Sequence, residues 1–63
     1  MPIAHIHILE GRSREQKNKL ITEVTDAISR SLNAPHEKIK VLLIEIPQEN
    51  WATAGISKAE ESL

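Results

Sequence analysis

The chain has no cysteine, no phenylalanine and no tyrosine, and its single tryptophan is at position 51. Without cysteine there is no disulfide, no thiolate metal site and no thiol nucleophile. One aromatic ring cannot make a stacking platform for bases, which needs several aromatic faces along a basic groove. Charge of one sign is also lacking. The 8 basic and 9 acidic residues are interspersed for a net charge of −1, so no face invites phosphates or an anionic membrane. Long hydrophobic runs are missing as well. The longest purely apolar stretch, VLLI at 41–44, is far below the ~20 residues that span a bilayer, and no basic segment followed by an apolar one opens the chain. A soluble, cytoplasmic protein with no nucleic-acid and no membrane partner is the expectation.

Sixty-three residues make a single domain, residues 1–63. A chain this short buries only about 60% of the surface its unfolded form exposes, so its own core is marginal. Disulfides are excluded, which leaves self-association as the leading remedy.

In the stretch from Pro2 to Glu10 the side chains alternate. Ala4, Ile6 and Ile8 fall on one, drier strand face, and Ile3, His5, His7 and Leu9 on the other. Gly11 ends the run, and Ser13 with Gln16 reads as an N-cap and its capping-box partner, which starts a helix near Arg14. Leu20, Ile21, Val24, Ala27, Ile28 and Leu32 recur at helical spacing as one stripe. Glu15 with Lys19 and Asp26 with Arg30 are acid-before-base pairs on the wet side. Asn33 and Pro35 end the helix.

A second strand is expected from about residue 38 to 46, with Leu42, Ile44 and Ile46 on one face and Ile39, Val41 and Leu43 on the other. Strand, single helix, strand is an α+β chain built as one βαβ unit with two parallel strands. One helix covers one face, and the second face is left for another subunit. After Pro47, small residues and Gly55 point to a turn or short hairpin, and Ser57 to Glu60 to a helix cap.

Most conventional catalytic sets are absent: there is no glycine-rich phosphate loop, no HExxH, and no Ser/His/Asp grouping singled out by spacing. His5 and His7 share a strand face at i,i+2, a spacing that permits a metal pair, but no carboxylate or further histidine is placed to complete a set. Histidines buried at a subunit contact are the simpler reading. Pro2 has the most chemical potential. Removing Met1 would turn its nitrogen from an amide into a secondary amine. Burial and a nearby cation would then disfavour the ammonium form and bring its pKa down toward the operating pH, as a general base requires.

The segments PIAHIHILEGRSREQK, SRSLNAP and VLLIEIP resemble the 4-oxalocrotonate tautomerase family over residues 2 to about 51, and the LEGRSxEQK signature is fairly specific in so short a chain. The resemblance implies a βαβ protein whose amino-terminal proline shuttles a proton along a conjugated 2-oxo acid such as 2-hydroxymuconate, in aromatic-compound degradation. It implies no cofactor and no metal. Dimers would assemble into a homohexamer, a trimer of dimers. Residue by residue, it places the catalytic proline on Pro2 and a carboxylate-binding arginine on Arg12. The second arginine of well-known members corresponds to Lys40, which keeps the charge but loses the planar fork. The aromatic wall corresponds to Trp51. The tail also departs from the glycine-rich hairpin of close relatives.

On these grounds Pro2, Arg12 and Lys40 are the candidate catalytic residues. Arg12, Lys40 and Trp51 are the candidate binders of a small-molecule carboxylate. Two alternatives remain open: hydration, dehalogenation or decarboxylation of a small unsaturated acid within the same superfamily, and a non-catalytic oligomeric binding module. For each residue there is also a bland reading, with Pro2 as an edge-strand proline, Arg12 as a solvated helix-start residue, Lys40 as a strand flank and Trp51 as a packing anchor.

Overall fold

The structure is a computed structural model that describes residues 1–61. Strand β1 (Ile3–Leu9) leads into helix α1 (Arg14–Leu32), and strand β2 (Lys40–Ile46) returns parallel to β1. The register runs from Ile3 opposite Lys40 to Leu9 opposite Ile46. It is lengthened at both ends by the Lys40 N–H donating to the Pro2 carbonyl at 3.1 Å and the Glu10 N–H donating to the Ile46 carbonyl at 3.0 Å. A short antiparallel hairpin, β3 (Ala52–Thr53) and β4 (Ile56–Ser57), precedes a one-turn helix, α2 (Lys58–Glu61). The α+β βαβ reading therefore holds, with the expected hairpin added at the tail.

Local chemistry sets the boundaries of α1. The Gln16 N–H donates to the Ser13 hydroxyl at 3.1 Å and the Ser13 N–H donates to the Gln16 side-chain oxygen at 3.1 Å, a complete capping box. Asn33 closes the helix in the left-handed region at φ 55°, a conformation asparagine tolerates better than most residues. The inward arc differs slightly from the expected stripe. Lys17, Leu20, Ile21, Val24, Thr25 and Ile28 are half-buried, whereas Ala27 and Leu32 are exposed. Nor do the two wet-side pairs form among the described residues. Asp26 instead meets His36 Nε2 at 3.0 Å, and the helix docks on β2 through Lys17 and Glu45 at 2.9 Å.

The second strand starts two residues later than expected. His36–Lys38 forms a 3₁₀ turn, closed by the Ile39 N–H donating to the His36 carbonyl at 3.1 Å. The Ile39 N–H is taken by that turn, and Pro2 has no N–H with which to carry the ladder further.

The alternation read from the sequence appears as two unlike faces. Ala4, Ile6, Ile8, Val41 and Leu43 lie half-buried on the face that also carries Glu45, the residue bonded to the helix. Ile3, His5, His7 and Leu42 lie exposed on the other, with Ile3 at 54% and Leu42 at 47%. No described residue is fully buried. The radius of gyration is 14.8 Å, against roughly 11 Å for a compact domain of this length. No described helix is long and apolar enough to cross a membrane.

The tail hairpin turns through two residues with positive φ, Ala54 at 55° and Gly55 at 82°. Such turns favour asparagine followed by glycine, because alanine in the left-handed region is strained by its Cβ. Ala54→Asn should therefore raise stability by about 0.5–1 kcal/mol, measured by denaturant unfolding at fixed protein concentration. Unchanged or lower stability would show that the strain is absent.

Candidate active site

The four expected site residues lie at two ends of one ladder. At the start of β1, Pro2 is half-buried and its carbonyl accepts the Lys40 amide, so the two backbones touch. The Lys40 side chain is exposed there, one residue position from Pro2 across the register. At the other end, Gly11 with φ 116° turns the chain out of the strand. A side chain at that φ would be strained even though the space around Gly11 is open. Arg12 follows immediately, and Ser13, the N-cap, fixes the chain just beyond it.

Trp51 comes to the Arg12 end. Its N–H donates to the Gln48 carbonyl at 3.3 Å, closing the 3₁₀ turn Gln48–Asn50, and its own carbonyl accepts the Lys58 N–H at 2.6 Å. The indole is thus carried between two backbone ties. Arg12 and Trp51 line an open cleft of about 560 Å³ together with His7, Thr53, Lys58 and Glu61. Arg12 also borders a smaller cleft of about 240 Å³ against the helix, next to Gln16 and Lys17. A cationic fork beside a half-buried indole can hold a carboxylate and keep the attached carbon chain partly dry.

The structure therefore brings Pro2 to Lys40 and Arg12 to Trp51, and it separates the two pairs. Seven strand residues at ~3.3 Å each put roughly 20 Å between the ends of β1, more than a six-carbon acid spans. One chain carries the candidate residues as two separate pairs. The sequence reading assigned the residues but missed this separation, although the signal was there: Pro2 and Arg12 flank the whole alternating run. It also missed Lys58 and Glu61, which line the larger cleft and which nothing in the tail sequence marks as cleft residues. His5 and His7 lie on the exposed sheet face, with His7 at the rim of the larger cleft.

Met1 stands ahead of Pro2 and is 80% exposed. While it is attached, the Pro2 nitrogen is a tertiary amide with no basic lone pair.

Known proteins resemble this chain along nearly all of its length. The family model described as "Tautomerase enzyme" matches residues 2–61, and so begins at Pro2. A 2-hydroxymuconate tautomerase of Stutzerimonas stutzeri is 56% identical over 57 residues, covering 90% of each chain. Among solved structures, a 4-oxalocrotonate tautomerase isozyme from Methylibium petroleiphilum superposes with a TM-score of 0.93 at 37% identity, covering 98% of this chain and 100% of the other. A heterohexamer 4-oxalocrotonate tautomerase from Chloroflexus aurantiacus superposes with a TM-score of 0.91 at 35% identity, covering 95% and 97%.

Trp51 is the only aromatic residue, so its emission reports on the cleft it shares with Arg12. Titration with a dicarboxylate should shift that emission, and Arg12→Gln should weaken the response about tenfold or more, the loss of one charge-assisted hydrogen bond. An Arg12→Gln variant with unaltered binding would remove Arg12 from the site.

Proposed function

The chain belongs to the tautomerase family and is an isomerase of the 4-oxalocrotonate tautomerase type, moving a proton between enol and keto forms; from that premise we propose its substrate and its base. The substrate is a small unsaturated 2-hydroxy or 2-oxo dicarboxylate such as 2-hydroxymuconate. The base is the Pro2 amine, created when Met1 is removed.

Pro2 nitrogen accepts the proton of the 2-hydroxyl, the conjugated double bonds shift, and the resulting ammonium returns a proton to C3 or C5. The enol O–H bond is exchanged for a C–H bond, with no net redox change. Arg12 binds one carboxylate through its fork. Lys40, beside Pro2, stabilises negative charge developing on the 2-oxo oxygen. Trp51 excludes water from the conjugated chain.

The observation that carries this reading is the placement of a cation–indole pair and a proline–lysine pair at opposite ends of one strand in a chain whose relatives include 2-hydroxymuconate tautomerases. Two copies running in opposite directions bring the pairs together. Pro2 of one copy then faces Arg12 and Trp51 of another, and the substrate spans them. Covering the exposed sheet face completes the core that a single chain lacks, which supports a homohexamer built as a trimer of dimers.

A Met1-retaining preparation and a processed one, distinguished by intact mass, should differ by orders of magnitude in ketonisation of 2-hydroxymuconate. The rate of the processed form should rise with pH as the amine loses its proton. Equal activity in both would refute Pro2 as the base.

Shared sites make a second expectation. Pro2→Ala and Arg12→Ala variants, each inactive or severely impaired alone, should regain part of the wild-type rate when unfolded and reassembled together, because some mixed sites combine an intact Pro2 with an intact Arg12. Failure to regain activity, with mixed oligomers verified by native mass spectrometry, would place both residues in one chain's site or in none.

A further inference from the structure

Thr53 was not among the residues picked out from the sequence, yet it lines the larger cleft with Arg12 and Trp51. Trp51 has extended backbone, at φ −109° and ψ 108°, and Thr53 follows two residues later in β3. Residues i and i+2 of an extended chain point to the same side, and Ala52 between them is not on the cleft wall. The hairpin holds this segment at both ends. The Trp51 carbonyl accepts the Lys58 N–H at 2.6 Å, and Thr53 lies opposite Ile56 in the last pair before the turn made by Ala54 and Gly55. A β-branched side chain on a fixed strand has few rotamers left, so the hydroxyl is presented in a narrow range of directions. Among the described residues neither this hydroxyl nor the Arg12 guanidinium has a hydrogen-bond or ion-pair partner. One cleft thus holds two unoccupied side-chain donors, one charged and one neutral.

We infer that the Thr53 hydroxyl donates a hydrogen bond to the carboxylate that Arg12 binds, and that it thereby selects acids with a carboxylate at that end over acids ending in an apolar group. The inference deepens the proposed function and rests on it for the class of ligand, a dicarboxylate. A carboxylate offers about four acceptor sites, and a bidentate arginine fork uses two of them. The others need a donor or water. A hydroxyl adds a directed, short-range bond where a further cation would add only a longer-range field. Arg12 draws in any anion, whereas Thr53 responds only when a carboxylate oxygen arrives at hydrogen-bond distance. An apolar end would cover the hydroxyl and leave it unpaired, which is how a site built on hydrogen bonds rejects an analogue lacking the partner. Thr53 acts at the end of the substrate away from Pro2, so its loss falls on binding rather than on proton transfer.

The test uses the full-length processed protein. Muconate, an unreactive six-carbon dicarboxylate, is titrated against Trp51 emission. Turnover of 2-hydroxymuconate is compared with that of 2-hydroxyhexa-2,4-dienoate, which has a methyl group in place of the far carboxylate. Thr53→Val keeps the branched shape without the hydroxyl and should raise the muconate dissociation constant about three- to tenfold, while Thr53→Ser should bring it back to within about twofold of wild type. In an Arg12→Gln background the Thr53→Val effect should shrink, because both side chains act on one carboxylate. It should persist in about 0.5 M salt, where the Arg12→Gln effect weakens. The ratio of kcat/KM for the diacid over the monoacid should fall about three- to tenfold in Thr53→Val, through KM of the diacid rather than its kcat. Far-UV circular dichroism and sedimentation check that the variants stay folded and assembled. Thr53→Val binding muconate as tightly as wild type, or keeping the wild-type preference between the two acids, would overturn the inference while catalysis by Pro2 stands. A wild type that binds muconate with the expected pattern of variants but turns over neither acid would overturn the catalytic reading and support this one. A wild type that binds no dicarboxylate would overturn both.

Discussion

One helix cannot cover both sides of a two-stranded sheet, and the rest of the molecule follows from that mismatch. The α1 side carries the half-buried Ile6, Ile8, Val41 and Leu43, together with Glu45, whose ion pair ties the helix down. The other side leaves Ile3 and Leu42 in water. At about 25 cal/mol per Å² of apolar surface, covering that side would add stability to a chain in which no described residue is fully buried. The proposed function depends on the same constraint. In the proposed assembly, a fold that is incomplete alone could keep the parts of its site apart, since the event that closes the core would also join them.

The separation of the two candidate pairs is a property of the parallel ladder. Both strands point the same way, so the residues entering β1 and β2, Pro2 and Lys40, meet at one end. The residues leaving them, Arg12 after Gly11 and Trp51 after the Gln48–Asn50 turn, meet at the other. Positioning is done by backbone rather than side-chain contacts: a ladder bond at Pro2, a positive φ at Gly11 and two carbonyl ties around Trp51.

Much of this was legible in the residues. Alternation at 3–9, the Ser13–Gln16 box and the Asn33–Pro35 stop are local signals, and local chemistry decided those boundaries. The departures arose where a distant partner decides. Residues 38 and 39 look like strand, but the Lys38 and Ile39 N–H groups are taken by the turn that starts at Pro35 and His36. Asp26 prefers His36, brought near by the loop, to Arg30 on its own helix. Trp51 and Arg12 were found through family resemblance, while their meeting in one cleft depends on how the tail folds back. Lys58 stayed hidden because nothing in its neighbourhood, SKAEES, distinguishes a cleft cation from an ordinary solvated one.

The bond from the Lys40 amide to the Pro2 carbonyl has a consequence for maturation. The sheet holds this residue by its oxygen and asks nothing of its nitrogen, which as an imino nitrogen has no hydrogen to give a ladder in any case. The proposed cleavage of the bond ahead of it would therefore leave this ladder bond in place. Architecture and reactivity occupy opposite atoms of one residue. Removal of Met1, as proposed, would leave the scaffold in place while turning an inert amide into the proposed base.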